Sequence, residues 1–409
     1  MSLIRPFRGL RPKPEFAADV VAPPYDVLNT AEARQRADGR PHSFLHISKP
    51  EIDLPEGTDP YDAQVYATGA KNLKQLVADG ILMQDDKPFY YVYRLIMGQH
   101  QQVGLVAVAN VEDYNSNRIR KHEYTRPDKE DDRVRQVDAL NAQTGPVFLT
   151  YRQDNTVDEI VNRTMQGEPV YDLTADDGVQ HTIWLLTEDD QIQTLTDTFD
   201  AMDNLYIADG HHRSAAASRV AQMRKGNGTE QAHDYFLTVI FPDNQMKILD
   251  YNRVLRDLNQ LDKDAFLARV AEKFDVQAQD SAVSPEGTGV FGMYLDKQWY
   301  KLSVNPSLVP QQDPVASLDV SLLQDLLISP ILGVDDPRRD KRIDFVGGIR
   351  GLGELEKRVD SGEMQVAFSL YPTQLSELMA VADAEKVMPP KSTWFEPKLA
   401  DGLVSHVLD

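Results

Sequence analysis

The sequence predicts an α+β fold of mixed α/β type, and three observations carry that expectation. Short apolar runs alternate irregularly with segments of helical period through about residue 250. From about Asp257 the alternation becomes more regular, which divides the chain into residues 1–255 and a C-terminal α/β domain, residues 256–409. With 409 residues, 41% hydrophobic and 26% charged, the chain has the length for two or three domains and the balance of a soluble globular protein.

Taken in order, Val20-Val21-Ala22 reads as a strand entering the rigid turn Pro23-Pro24-Tyr25-Asp26, because paired prolines fix φ and remove two donors. Asn29 or Thr30 caps a helix through Arg34. Ser43 to Ile47 reads as a strand. His42 and His46 would suit a metal on a helix, but the strand pattern, Pro41 and the lack of a third nearby ligand favour a structural role. Tyr61 to Gly80 is an amphipathic helix ended by Asp79-Gly80. Phe89 to Leu95 and Val103 to Ala109 are expected to pair as strands about Gly98-Gln99-His100. The polar loop Asn141 to Pro146 leads into a strand, Val147 to Tyr151.

Gln180 to Leu186 reads as a strand, Ile192 to Phe199 as a helix and Tyr235 to Phe241 as a strand. In the C-terminal part, Lys263 to Phe274 is helical, and two runs from Gly289 and Trp299 form a hairpin. Pro306 to Pro314 is a loop. Leu318 to Leu327 and Pro372 to Ala382 are helices; Ile343 to Gly348 and Met364 to Leu370 are strands. Gly351-Leu352-Gly353 misses the dinucleotide fingerprint, because Glu356 replaces its third glycine, and there is no Walker A motif.

Chemistry concentrates in two blocks. The first is Leu205-Tyr206-Ile207-Ala208-Asp209-Gly210-His211-His212-Arg213-Ser214, read as a strand, a glycine turn and a helix running to about Gly226. The opening N–H groups of a helix lack internal partners and carry the positive end of its dipole, so Gly210, His211, His212 and Arg213 would cradle an anion. Asp209 reads equally as a capping residue, and the histidines as satisfied loop groups. Two His in five residues, of nine in the chain, favour a site. The second block runs from Lys121 to Arg133. His122-Glu123 opens like a zinc-protease helix, but Arg126 replaces the second His and Pro127 breaks that helix. What remains is a salt-bridged loop, or a site lining with Lys121, Arg126 and Arg133 for phosphate and carboxylates for Mg²⁺. Both blocks are expected on one cleft, with Arg213 at the surface.

Asp209-Gly210-His211-His212-Arg213 resembles the signature of the ParB/sulfiredoxin-like superfamily, in which a Gly-x-x-Arg segment at a helix start holds nucleotide phosphates. It looks most like the free serine kinase branch, which carries the same run. Ala22-Pro23-Pro24-Tyr25-Asp26-Val27 and Met388-Pro389-Pro390-Lys391-Ser392-Thr393 resemble a widespread, long-uncharacterised bacterial family of about this length. The resemblance implies a ParB/sulfiredoxin-like nucleotide-binding core elaborated with extra strands in residues 1–255. It implies ATP or ADP as donor, Mg²⁺ held with the help of Asp209, and transfer to a hydroxyl such as that of free L-serine. Glu123 or Asp26 would take the hydroxyl proton, and His212 would assist. A nucleotide-binding switch or a metabolite sensor is the alternative.

Composition narrows the partners. Sixty-four acidic against 43 basic residues give a net charge of −21, which opposes duplex nucleic acid and anionic lipid. The absence of cysteine excludes disulfides, thiolate catalysis and sulfiredoxin chemistry. No apolar run reaches signal or transmembrane length, so a cytoplasmic location is expected, with no membrane partner. A small-molecule substrate is the expected ligand, and a homo-oligomer is left open.

Overall fold

The computed structural model describes residues 2–226 and 230–409. The chain forms two compact units, Met1–Met246 with Pro397–Asp409, and Lys247–Glu396. The expected division differs in two ways. The boundary lies before the strand Tyr251–Leu255, and Pro397–Asp409 belongs to the first unit.

Unit 1 is built on a mixed sheet that has nine strands among the described residues. In chain order they are β1 (Ile4–Arg5), β2 (Tyr90–Met97), β3 (His100–Asn110), β4 (Ile119–Arg120), β5 (Val147–Tyr151), β6 (Tyr171–Thr174), β7 (Gln180–Leu186), β8 (Leu205–Asp209) and β9 (Tyr235–Pro242). Their spatial order is β4-β8-β5-β9-β3-β2-β7-β6, with β1 alongside β3. The pairs β4–β8 and β5–β9 are parallel; the others are antiparallel. Every residue of β9 is buried, as its unbroken apolar run requires of a central strand. Leu149, Ile207, Phe236 and Ile240 form a core with Val157 and Ile160 of helix Asn155–Thr164 and Leu195 and Phe199 of helix Asp189–Asp200. A second core gathers Val20, Ala33, Phe44, Ile47, Leu73 and Leu76.

Two helices govern the site, α1 (Pro127–Leu140) and α2 (His211–Met223). Val134 of α1 packs with Ala216 and Val220 of α2 and with Leu408. Polar contacts follow the same register. Arg126 meets His212, Glu130 and Asp131 meet Arg219, and Asp138 meets Arg224. Numbers rise together on both helices, so α1 and α2 run parallel and their N-termini share one end. A buried aliphatic side chain contributes about 1.5–3 kcal/mol, whereas an exposed ion pair contributes roughly 0.2–1 kcal/mol. The apolar seam therefore holds the helices together, and the ion pairs set their register.

Unit 2 carries an antiparallel sheet in the order Phe274–Gln279, Gln298–Val304, Val290–Leu295, Val366–Leu370, Tyr251–Leu255 and Ile343–Gly347. Leu355 and Val359 of helix Leu352–Asp360 pack on it with Val254 and Ala367.

Four local expectations need correction. Ser43 to Ile47 is not a strand: Leu45–Ser48 is a helical turn, whose buried Phe44, Leu45, Ile47 and Ser48 follow helical spacing. His46 faces Asp53 there, with Nδ1 2.7 Å from Oδ1. Val20 ends a helical turn, Ala17–Val20, and only Ala22 bridges, to Asp401. Phe274 opens a strand, because its helix stops at Ala271. Pro127 starts α1 rather than breaking a helix, since the first helical position needs no N–H donor, so half of the second charged block is helical. Among the described residues, no helix is long and apolar enough to cross a membrane.

Candidate functional site

Gly210 is the hinge of the site. It takes φ +98°, closes β8 and serves as the N-cap of α2. A Cβ there would lie 3.3 Å from Val147 Cα on the neighbouring strand and 3.6 Å from Arg213 Cζ. Its N–H donates to Asp209 Oδ1, and its carbonyl accepts from the Arg213 and Ser214 amides. The His211 and His212 amides have no partner among the described residues, so they are the donors that α2 presents at its positive end.

The two charged blocks are adjacent. The His122 amide donates to His211 Nε2 at 3.3 Å, and the Arg126 amide donates to His212 Nε2 at 3.0 Å. A nitrogen that accepts carries no proton, so both neutral rings carry theirs on Nδ1. Burial, with His122 edge-on at a ring-centroid distance of 4.4 Å, pushes His211 well below the ordinary histidine range. Burial also lowers His212, against the pull of Glu130. His211 Nδ1 points toward Glu123 Oε2 at 3.7 Å, beyond a hydrogen bond. The two histidines thus brace the segment before α1 against the start of α2 and leave Glu123 beside it.

Arg213 overturns its expected surface position. Its side chain is only 11% exposed. The guanidinium donates to the Pro146 carbonyl and to Asp26 Oδ2 at 3.4 Å, and lies 3.8 Å from Asp209 Oδ2. Burial opposes its charge, but Asp26 and Asp209 hold it firmly protonated. Asp26 remains exposed, on the turn Tyr25–Val27 set up by the paired prolines.

The other expected phosphate ligands face elsewhere. Lys121 Nζ donates to the Tyr114 carbonyl at 2.7 Å and lies 4.0 Å over its ring. Arg126 turns outward to Asp128. Arg133 is stacked 3.8 Å from the Tyr25 ring centroid and bonded to Asp132. Long side chains at the outset of a helix follow its surface or pack beneath it, so sharing a charged block does not aim them at one point.

Asp209 does not fit the expected Mg²⁺ ligand. Burial would raise its carboxyl, but Lys398, Arg213 and His211 hold it well below the usual carboxylate range. Oδ2 lies between Lys398 Nζ at 3.4 Å and Arg213 at 3.8 Å, which repels a further cation. Among the described residues, no group of three or more His, Asp or Glu could hold a metal ion.

Sequence reasoning missed Lys398 and Asp401. Asp401 is buried, and its Oδ1 has no hydrogen-bond partner. Together with Arg213, Arg133 and Ser48 it lines a cavity of about 30 Å³ behind the start of α2, room for a water or two. Burial pushes its carboxyl up to about 7, against the pull of Arg213. The one available signal was an acid in the otherwise apolar run Leu399 to Val404, and Asp401-Gly402 reads there as an ordinary turn.

A family model described as "Protein of unknown function (DUF1015)" matches residues 4–321, more than half of the chain. No curated protein matches. Among solved structures, a free serine kinase in complex with AMP is 13% identical, with 73% of this chain and 92% of that one covered at a TM-score of 0.36. A conserved hypothetical protein from Pyrococcus furiosus is 14% identical, with 73% and 94% covered at a TM-score of 0.34. A C-terminally truncated SbnI from Staphylococcus aureus is 10% identical, with 73% and 86% covered at a TM-score of 0.38. Overlap this loose carries no argument about fold or activity.

Proposed function

We propose that this chain, which belongs to the DUF1015 family, transfers a phosphoryl group from a nucleotide, ATP or ADP, to the hydroxyl of a small acceptor, with free L-serine as the first candidate. In this reading unit 1 is a ParB/sulfiredoxin-like nucleotide-binding core elaborated with extra strands. The observation that carries it is the meeting of two parallel helix N-termini, two unpartnered amides, a buried arginine and two accessible carboxylates at one end of unit 1. Phosphoryl transfer needs positioning and charge neutralisation more than covalent chemistry, and helix starts supply both.

The His211 and His212 amides hold donor phosphate oxygens, and Arg213 stiffens the turn beneath them. Asp26 or Glu123 accepts the hydroxyl proton as the acceptor oxygen bonds to phosphorus. The bond from phosphorus to the leaving nucleotide oxygen breaks, and the nucleotide departs one phosphate shorter. No step is assigned to Mg²⁺, because Asp209 is already shared by two cations.

A second reading, nucleotide binding without turnover, is favoured by the protein partners that already engage Arg213. One experiment separates the two. The chain is incubated with ATP or ADP, with and without L-serine, and phosphoserine is followed by phosphorus NMR. Product that requires serine, and that Asp26→Asn or Glu123→Gln abolishes while nucleotide binding persists, supports transfer and identifies the base. Nucleotide binding without product across hydroxyl acceptors supports the switch. No nucleotide binding sinks both.

A further inference from the structure

Unit 1 holds a separate pocket of about 160 Å³, away from the start of α2. β5 begins at Val147, beside Gly210, and ends at Tyr151 in this pocket. Four strand steps separate its two ends, about 13 Å. The floor is apolar, with Val103 and Leu105 of β3. One wall is the helix Asn155–Thr164. Val157 and Val161, one turn apart, join the core, and Asp158 and Asn162, each one position on, form a polar rail beside them. Gln245 fixes the strand edge, because its Oε1 accepts from the Val103 amide at 2.8 Å. The pocket is therefore built before anything enters it.

Two observations point to a ligand and to its charge. Tyr151 is 2% exposed and its ring packs on Phe199 at 5.1 Å, yet its hydroxyl has no hydrogen-bond partner among the described residues. A buried phenol ordinarily has one, so this hydroxyl is left for an occupant of the pocket. The surrounding charge is negative. Burial raises the phenol, and Asp158, Asp154 and Asp243 raise it further. Asp158 Oδ2 accepts from the Gln153 side-chain amide at 2.7 Å, and no cation among the described residues pairs with any of these three acids. Arg152 turns to Tyr206 instead. We propose that this pocket binds a small organic ammonium, with its charged head at Asp158 and the Tyr151 oxygen and its body on Val103 and Leu105. A carboxylate supplies a charge-assisted contact, and the phenol oxygen accepts a second N–H. The volume suits a body of about benzene's size, since a cavity of about 150 Å³ holds benzene. The assignment stands apart from the phosphoryl-transfer reading and shares no residue with it.

The test titrates the full chain with cyclohexylammonium, cyclohexanol and cyclohexanecarboxylate, followed by ligand-observed NMR. The three probes share one ring and differ in charge. The ammonium is expected to bind about tenfold or more tighter than the alcohol, the worth of one charge-assisted contact, and the carboxylate weakest. Asp158→Asn should bring the ammonium to the level of the alcohol, while its amide oxygen still accepts from Gln153. Tyr151→Phe removes a single oxygen and should weaken the ammonium by about three- to tenfold with no loss of melting temperature. That variant decides the matter if Asp158→Asn melts early. Asp189→Asn, exposed on another helix, should change nothing. An equal loss in Asp158→Asn and Asp189→Asn would mean diffuse attraction to a chain of net charge −21 and would overturn the site. Ammonium affinity within twofold of the alcohol would overturn it too, as would unchanged affinity in a folded Asp158→Asn or Tyr151→Phe chain. So would a natural chain that binds no ammonium at about 10 mM.

Discussion

Replacing Arg213 with alanine should destabilise unit 1 as well as impair ligand binding. The guanidinium donates to the Pro146 carbonyl and to Asp26, faces Asp209 and is 11% exposed. Removing one partner of a fully buried pair costs about 3–5 kcal/mol. Here the acids keep water access, with Asp26 42% and Asp209 34% exposed. A single hydrogen bond to a charged group is worth roughly 1.5–3 kcal/mol, so the loss should be about 2–3 kcal/mol. For a unit of this size that lowers the melting temperature by about 4–10 °C. Arg213→Lys should recover only part, because an ammonium cannot reach Pro146 and two carboxylates in one plane. Melting followed by far-UV circular dichroism, run beside ADP titration, measures both effects. A melting temperature within about 1 °C of the natural chain would show that the guanidinium is not held as described, and the argument for a braced helix start would fall with it.

Gly210→Ala should cost about 1–3 kcal/mol in unfolding free energy, because φ +98° is strained for alanine and Val147 backbone leaves no room to relax; an unchanged urea midpoint would refute the left-handed turn. Stability should fall as pH drops from about 6.5 toward 4. Burial holds His122, His181 and His406 at about 4, so the unfolded chain takes up protons that the folded chain refuses. Urea midpoints at pH 7.5, 6 and 4.5 check this, and a flat profile contradicts it. Asp401 acts with the opposite sign. Its raised pKa contributes stability below the ordinary carboxylate range, and that contribution is lost as pH rises through about 7. Asp401→Asn should therefore lose less stability than the natural chain as pH rises from about 4 to 7, and an identical profile in that window would contradict the role.

What the sequence made legible was local. Leu205 to Ile207, Gly210 and the alanine-rich run after Ser214 carry their own propensities, so the strand, turn and helix follow from neighbours in the chain. Asn29 forms the expected cap, with a reciprocal bond to Glu32. Aim and long-range company were not legible. Arg213, Lys121 and Arg133 look alike as cations in charged blocks, but their heads go to Pro146 and Asp26, to Tyr114, and to Tyr25 and Asp132. Which histidine nitrogen accepts depends on the facing amide, and that pairing is made across 86 to 89 residues. Leu45 to Ser48 was misread for another reason. Four residues satisfy a strand or one helical turn equally, and burial decides.

The discontinuous course of unit 1 sets an order of assembly. Residues 247–396 fall between the two parts of that unit, so a ribosome finishes the whole of unit 2 before it adds Lys398, Asp401 and the strand Ser405–Val407. Until then the edges of Gly9–Pro12 and Ala142–Gln143 that this strand joins are unpaired, and Asp209 waits for one of its two cations. Unit 2 can fold during synthesis as an independent body, but the other unit closes only once residues 397–409 have been added and have emerged. A nascent chain stalled before residue 397 would leave an open strand edge on unit 1, a surface suited to chaperone capture or mispairing.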